Sequence, residues 1–202
     1  MRISHVSLQD IFADPRAWIG RQRSGTDFIR MGYSGVTLMA LYRLHKTTGD
    51  VDDAILYLDN LLDRYTLNNP SRRKDAHSHL RSYSRWLASG AMNPVETKLR
   101  ISLPLGAGVI LGGQIPRLDV DGSFTKYTGV LLGTSMPSLR HELRPPLLQR
   151  AIASAIHRPE EDVFLACQAL DGSDLQELHF VHDDIDEAMS VAERLAYTLA
   201  SL

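Results

Sequence analysis

A change of hydrophobic period inside residues 96–170 narrows the choice of fold more than any other property of the chain. Apolar residues first come in three short runs, Leu99–Leu105, Val109–Val120 and Tyr127–Leu132. Runs of that length bounded by turn residues read as strands. Asp121-Gly122 separates the second run from the third, and Asp-Gly between apolar runs predicts a tight two-residue hairpin. The spacing then becomes helical. Leu143, Leu147, Leu148, Ile152, Ala155 and Ile156 recur at intervals of three and four, and Pro145-Pro146 suits a first turn, where a missing N–H costs nothing. A strand-like run, Val163–Leu170, follows, so the order is strand, strand, strand, helix, strand. Leu175–Val181, after the turn Asp171-Gly172, reads as a fifth strand, and Ile185–Leu202 as a last helix lying on the sheet.

The preceding residues are helical in pattern. Ser7 is placed to cap a short helix carrying Leu8, Ile11 and Phe12. Val36–Lys46 and Asp52–Tyr65 are amphipathic, with Gly49 as a stop and Asp50 as a cap between them. A third helix spans about 72–89, with Ala76, Leu80, Tyr83 and Leu87 as its apolar stripe. The fold class expected is α+β: a mixed sheet of about five strands flanked by helices, residues 94–202, with a helical N-terminal region, residues 1–93, attached to it.

Charge divides along the same line. The chain of 202 residues has a net charge of −2. Residues 1–90 hold 13 Lys and Arg against 9 Asp and Glu, whereas residues 91–202 hold 9 against 15. A neutral whole argues against bulk attraction to nucleic acid and leaves room for a local basic face. That face is the helix at 72–89, where Lys74, Ser78, Arg81 and Arg85 share one stripe and Arg72 and Arg73 add charge at the N-terminal end. Cations there oppose the helix dipole, so an anionic neighbour is expected. His77 and His79 are two apart, point to different sides and make no metal pair. The acidic run His182–Glu187 reads as the charged start of the last helix rather than a metal site.

The single cysteine, Cys167, sits in an apolar run and reads as a buried structural thiol; one cysteine excludes an internal disulfide and any multi-cysteine metal site. The N-terminus lacks the apolar core of a signal peptide, and no run approaches the roughly 18 apolar residues of a membrane span. A cytoplasmic protein with no membrane partner is expected.

The order of elements resembles the PD-(D/E)xK nuclease superfamily, and within it the RecB-like branch. Val95-Glu96 before two hairpin strands looks like that branch's entry to its core. Gly113-Gln114-Ile115-Pro116-Arg117-Leu118-Asp119 is similar to its Gly-x-Ile-Asp-Arg-x-Asp strand, and Val130–Ser135 stands in the place of its apolar run ending in Asp-x-Lys. Leu148-Gln149 looks like the opening of its Gln-x-x-x-Tyr helix, and Gly35 stands where it has Gly-x-x-x-His. The resemblance implies a restriction-endonuclease-like sheet and a site where carboxylates hold Mg²⁺ and activate water for phosphodiester hydrolysis.

The motif positions that should carry this chemistry are altered. The metal-binding aspartate falls on Pro116, the Asp-x-Lys pair on Gly133 and Ser135, the histidine on Met39 and the tyrosine on Ala153. Glu96 and Gln149 remain, with Asp119 nearby. The function expected is therefore that of a catalytically degenerate nuclease-like protein, without cofactor or resident metal. It would bind nucleic acid through Arg72, Arg73, Lys74, Arg81 and Arg85, or act as a scaffolding subunit for a protein partner, in a DNA repair or anti-phage defence assembly. The alternative enzyme is an active Mg²⁺-dependent DNA nuclease with a relocated set, Glu96, Asp119, Lys126 and Gln149. A third reading is a protein–protein module whose acidic C-terminal face meets a basic partner.

Overall fold

The computed structural model describes residues 1–24, 32–90, 93–133 and 143–202. Its described elements are, in chain order, β1 (Arg2–Ser4), α1 (Leu8–Ala13), α2 (Pro15–Ser24), α3 (Tyr33–Lys46), α4 (Val51–Arg64), α5 (Pro70–Ala88), β2 (Asn93–Gly106), β3 (Val109–Val120), β4 (Tyr127–Leu132), α6 (Arg144–Ile156), β5 (Val163–Gln168), β6 (Gln176–Leu178) and α7 (His182–Ala200). The class is α+β: a mixed sheet flanked by helices.

β2 runs antiparallel to β3 along nearly its whole length, β3 antiparallel to β4, β4 parallel to β5 and β5 antiparallel to β6. The parallel pair is joined by α6, as a parallel connection requires a crossover. This is the expected strand–strand–strand–helix–strand order. Two helical layers cover it. On one face α6 and α7 bury Leu147, Ile152, Ala188 and Leu195 against Leu99, Ile101, Leu111, Ile115 and Leu165. On the other, α3, α4 and α5 bury Val36, Leu44, Leu58, Leu62, Leu80 and Tyr83 against Val130, Leu132 and Ala166.

Ser7 stands before α1 without making a side-chain cap bond, but two later caps operate as their chemistry dictates. Asp50 caps α4 by accepting from the N–H groups of Asp52 and Asp53, and Asn69 caps α5 through Arg72 N–H, with Pro70 in its first turn. Asp183 and Asp184 occupy the first turn of α7. Cys167 is buried.

Three expectations differ from the structure. Asp121-Gly122 is not a two-residue turn, because β3 ends at Val120 and β4 begins at Tyr127. Asp121 instead closes a longer loop, its carboxylate accepting from the N–H groups of Thr125 and Lys126 and from the Ser123 hydroxyl. Those bonds hold its carboxyl well below the usual range, the Ser123 bond first among them. The fifth strand shrinks to Gln176–Leu178. The N-terminal residues are not wholly helical either: β1 pairs in parallel with Ile110–Gly112 of β3, and Ile11, Trp18 and Ile19 of α1 and α2 join the core under α6 and α7.

β1 and β4 lie on the same edge of β3. β2 pairs with both segments of β3, so the edge opposite β2 carries β1 at 110–112 and β4 at 117–120. Among the described strands, nothing pairs with residues 113–116 on that edge. The His5 ring lies there, its Nε2 3.3 Å from the Gln114 carbonyl oxygen.

Candidate functional site

The strongest polar constellation lies between β3 and the helices α3 and α5. Arg117 and Asp119 are two apart on β3, so both point to the helical side, and both are fully buried. Arg117 grips Asp119 with two bonds, Nε to Oδ1 and Nη2 to Oδ2, each 2.8 Å. Its Nη1 donates to the Tyr83 hydroxyl at 2.5 Å, and its guanidinium lies 4.4 Å from the centre of the Trp86 ring.

The network continues outward. An arginine only donates, so Tyr83 Oη accepts from Arg117 and its own hydrogen is free for His45 Nε2, 2.8 Å away. That assignment makes His45 a neutral acceptor at Nε2. Burial, with Arg117 nearby, lowers the His45 pKa to about 4, in the same direction. Burial also raises the Asp119 carboxyl, and Arg117 pulls against it. On the next strand Thr128 sits opposite Asp119, and its hydroxyl lies 3.4 Å from Glu177 Oε1. Glu177 in turn pairs with Lys126 at 2.5 Å, and that ammonium stands 4.4 Å from the centre of the Phe164 ring.

Chemically, this cluster is closed. Both Asp119 oxygens are occupied by the guanidinium, in a place that leaves no room for a hydrated ion, and the charges cancel within the cluster. Its evident work is to fasten the sheet to α3 and α5.

The four residues of the relocated-nuclease alternative are distributed as follows. Asp119 lies in the buried cluster, and Lys126 pairs with Glu177, whose other oxygen lies near the hydroxyl of Thr128, the residue opposite Asp119. Glu96 is exposed on the rim of a cleft lined by Tyr42, His45, Lys46, Pro94, Val95, Thr97 and Lys98. Burial pushes the Tyr42 phenol there up to about 12, and Lys98 Nζ lies 4.4 Å from its ring centre. Gln149 is on the other side of the sheet, fully buried in α6. Its amide donates to the carbonyls of Glu160 and Phe180 and accepts from Phe180 N–H, which ties the entry of β5 to the start of α7. Pro116 lies in the unpaired segment of β3, and Gly133 donates its N–H to the Gln168 carbonyl. Ser135 is outside the described residues. Among the described residues, no three His, Cys, Asp or Glu side chains gather as metal ligands would.

The proposed phosphate contacts on α5 divide into two kinds. Arg73 is spoken for: its guanidinium pairs with Asp63 at 2.8 Å and Asp59 at 3.4 Å, and His77 bonds Asp59 from the next turn at 2.8 Å. Arg72, Lys74, Arg81 and Arg85 are exposed. Arg72 stacks over Tyr33 at 5.7 Å, and Arg85 Nη2 donates to Ser82 Oγ. None of these four forms an ion pair among the described residues.

Two features escaped the sequence reading. Opposite charges two apart in an otherwise apolar strand, Arg117 and Asp119, are themselves a signal of a paired, buried salt bridge. Gly112-Gly113 inside a strand is the usual sign that something approaches the backbone closely. Here the approaching groups are Arg2, whose Nε lies 2.4 Å from where a Gly112 Cβ would stand, and the His5 ring, 2.2 Å from that of Gly113.

No family model matches the chain, and no curated protein matches it. Among solved structures, it is similar to a crystal structure from Eubacterium rectale described as a "putative exonuclease". The two are 12% identical with a TM-score of 0.39, and the match covers 75% of this chain and 66% of the other.

Proposed function

We propose that the chain is a nuclease-like protein without hydrolytic activity that binds the phosphate backbone of nucleic acid along α5. The observation that carries this reading is the uneven use of the helix's cations. Where acids are at hand, as for Arg73, the structure pairs them; Lys74, Arg81 and Arg85 remain exposed on one stripe without carboxylate partners among the described residues. The stripe from Lys74 to Arg85 covers eleven helical steps, about 16 Å. Such a row positions a backbone without reading bases. The closed Arg117–Asp119 pair supports the inactive half of the reading, since a carboxylate held at both oxygens by a guanidinium is a poor metal ligand. A role as scaffolding subunit for a protein partner, in DNA repair or defence, is the setting this chemistry would suit.

The experiment is a binding and cleavage assay on the full chain. Labelled single- and double-stranded DNA are incubated with Mg²⁺ or Mn²⁺ and, separately, in EDTA across a salt series. Binding that persists in EDTA, falls with salt and weakens on Arg81→Glu/Arg85→Glu is the expected result. Metal-dependent cleavage would overturn the inactive half. No binding at low salt would overturn the nucleic-acid half and leave the protein–protein module.

A further inference from the structure

We propose that the bare face of the sheet between β1 and β2 is a second phosphodiester contact, which holds a single nucleic-acid strand with Arg2 and Arg100. The inference rests on the nucleic-acid reading above and adds to it a surface remote in sequence from α5.

The face follows from strand alternation. Ile3, Leu99, Ile101, Leu103 and Leu111 enter the core under α6 and α7. Their neighbours Arg2, Arg100, Ser102 and Gln114 therefore stand on the other side, where all four are exposed and α3, α4 and α5 do not cover them. Arg100 is opposite Gln114, and Ser102 and Ser4 flank Gly112 from either side. Arg2, Ser4, Arg100, Gly112, Gly113 and Gln114 with Ile3 line a cleft of about 550 Å³. No carboxylate is among them, and neither arginine forms an ion pair among the described residues.

The cleft is built rather than incidental. Gly112 has no side chain, and Arg2 lies in the space one would occupy: a Cβ there would stand 2.4 Å from Arg2 Nε and 2.8 Å from Nη2. The Nη2 donates to the Ile101 carbonyl at 3.4 Å, which fixes the guanidinium low on the sheet. It is thereby carried from the level of Ile110, its partner in register, to that of Gly112. Two residues further along β3, roughly 7 Å, is Gln114 with Arg100 beside it. The result is a concave floor of backbone, flanked by two guanidinium groups whose forked donors suit phosphate oxygens.

The same features choose the occupant. Two strand spacings, about 10 Å, separate β1 from β2, and Arg2 lies low between them, so a single strand can reach it whereas a duplex, whose two grooves alone measure about 18 Å, rests on the rim. Among the described residues no aromatic ring lines the cleft, so the contact is to phosphate rather than to stacked bases, and sequence is not read.

The test is fluorescence anisotropy of the full chain with a labelled single-stranded oligothymidylate and a duplex of the same length, at several salt concentrations. Arg2→Ala/Arg100→Ala should weaken single-strand binding about tenfold or more and reduce the salt slope by about 1.4, two contacts at about 0.7 each. Because Arg2 packs on Gly112, the exposed single change Arg100→Glu serves as a second variant, with thermal melting to show that it folds. Arg81→Glu/Arg85→Glu is the reference for α5. Unchanged single-strand affinity and slope in Arg100→Glu, with binding still weakened by the α5 variant, would overturn the sheet contact and leave the α5 reading standing. A loss confined to the duplex would overturn it too. Failure of the unaltered chain to bind either probe would take down both.

Discussion

Removing Asp119 tests the buried cluster most sharply. Asp119→Ala leaves the Arg117 guanidinium in a fully buried site, with its Tyr83 bond and Trp86 contact but without a counter-charge. Stripping one member from a buried pair costs about 3–5 kcal/mol, because the survivor stays desolvated and unbalanced. For a chain of this size each kcal/mol moves the melting temperature by about 2–4 °C, so a fall of about 6–20 °C is expected. Removing both charges as Arg117→Met/Asp119→Leu should recover most of that loss, since an apolar replacement of a buried pair is often neutral. Tyr83 keeps His45 as a partner in that background. The assay is thermal and urea unfolding followed by circular dichroism, with the urea slope checked for constancy. An Asp119→Ala protein within about 1 kcal/mol of the parent would refute the reasoning, as would a double variant no more stable than the single one. The result also bears on enzymology. Any cleavage activity lost on Asp119→Ala is confounded with unfolding unless the double variant is measured beside it.

The remaining predictions concern other parts of the molecule. His45 has a folded pKa of about 4 against an ordinary 6.5, so the unfolded chain takes up its proton first. Its contribution to stability is complete above pH 6.5 and declines as pH falls toward 4, by roughly 3 kcal/mol at most, and His45→Gln should flatten that part of a pH–stability curve. Gln149→Leu leaves two carbonyls and one N–H at the β5 and α7 junctions without their partner, and should cost about 3 kcal/mol in urea melts. Tyr83→Phe should cost about 1–3 kcal/mol by orphaning the Arg117 Nη1 donor, and should raise the His45 pKa measured by NMR. Lys74→Glu/Arg81→Glu should lower the salt slope of DNA binding while leaving the melting temperature within about 2 °C, because neither side chain is buried.

Most elements were legible where one signal dominated. β3 and β4 occupy the residues their apolar runs marked, and α4 begins at the aspartate cap its sequence announced. Short or long-range features were not. β1 is three residues long and exists only because β3, more than a hundred residues later, offers an edge; nothing local at Arg2–Ser4 encodes that. Asp121-Gly122 misled because its aspartate bonds forward into the loop rather than turning the chain at once. Of the buried cluster the sequence singled out Asp119 and, at its margin, Lys126 as site candidates, but not Arg117, Tyr83 or His45, and none of the partnerships. Lys126 and Asp119 share a face because strand pairing puts Thr128 and Glu177 between them, whereas Gln149 faces the opposite layer. Arg73 could not be told from Lys74 by helical position alone, since its acids come from α4.

The placement of β1 also dictates a schedule for folding. α3, α4 and α5 contact one another within a short span of chain and are able to form as a ribosome releases them. Residues 2–4 have no strand to join until Ile110–Gly112 has been synthesised and has paired with β2, so a segment made well before its partner is among the last to settle. Pulse-labelling hydrogen exchange should find the amide of Ile3, which faces β3, protected later than those of α4, and early protection there would show that the segment docks before the sheet exists.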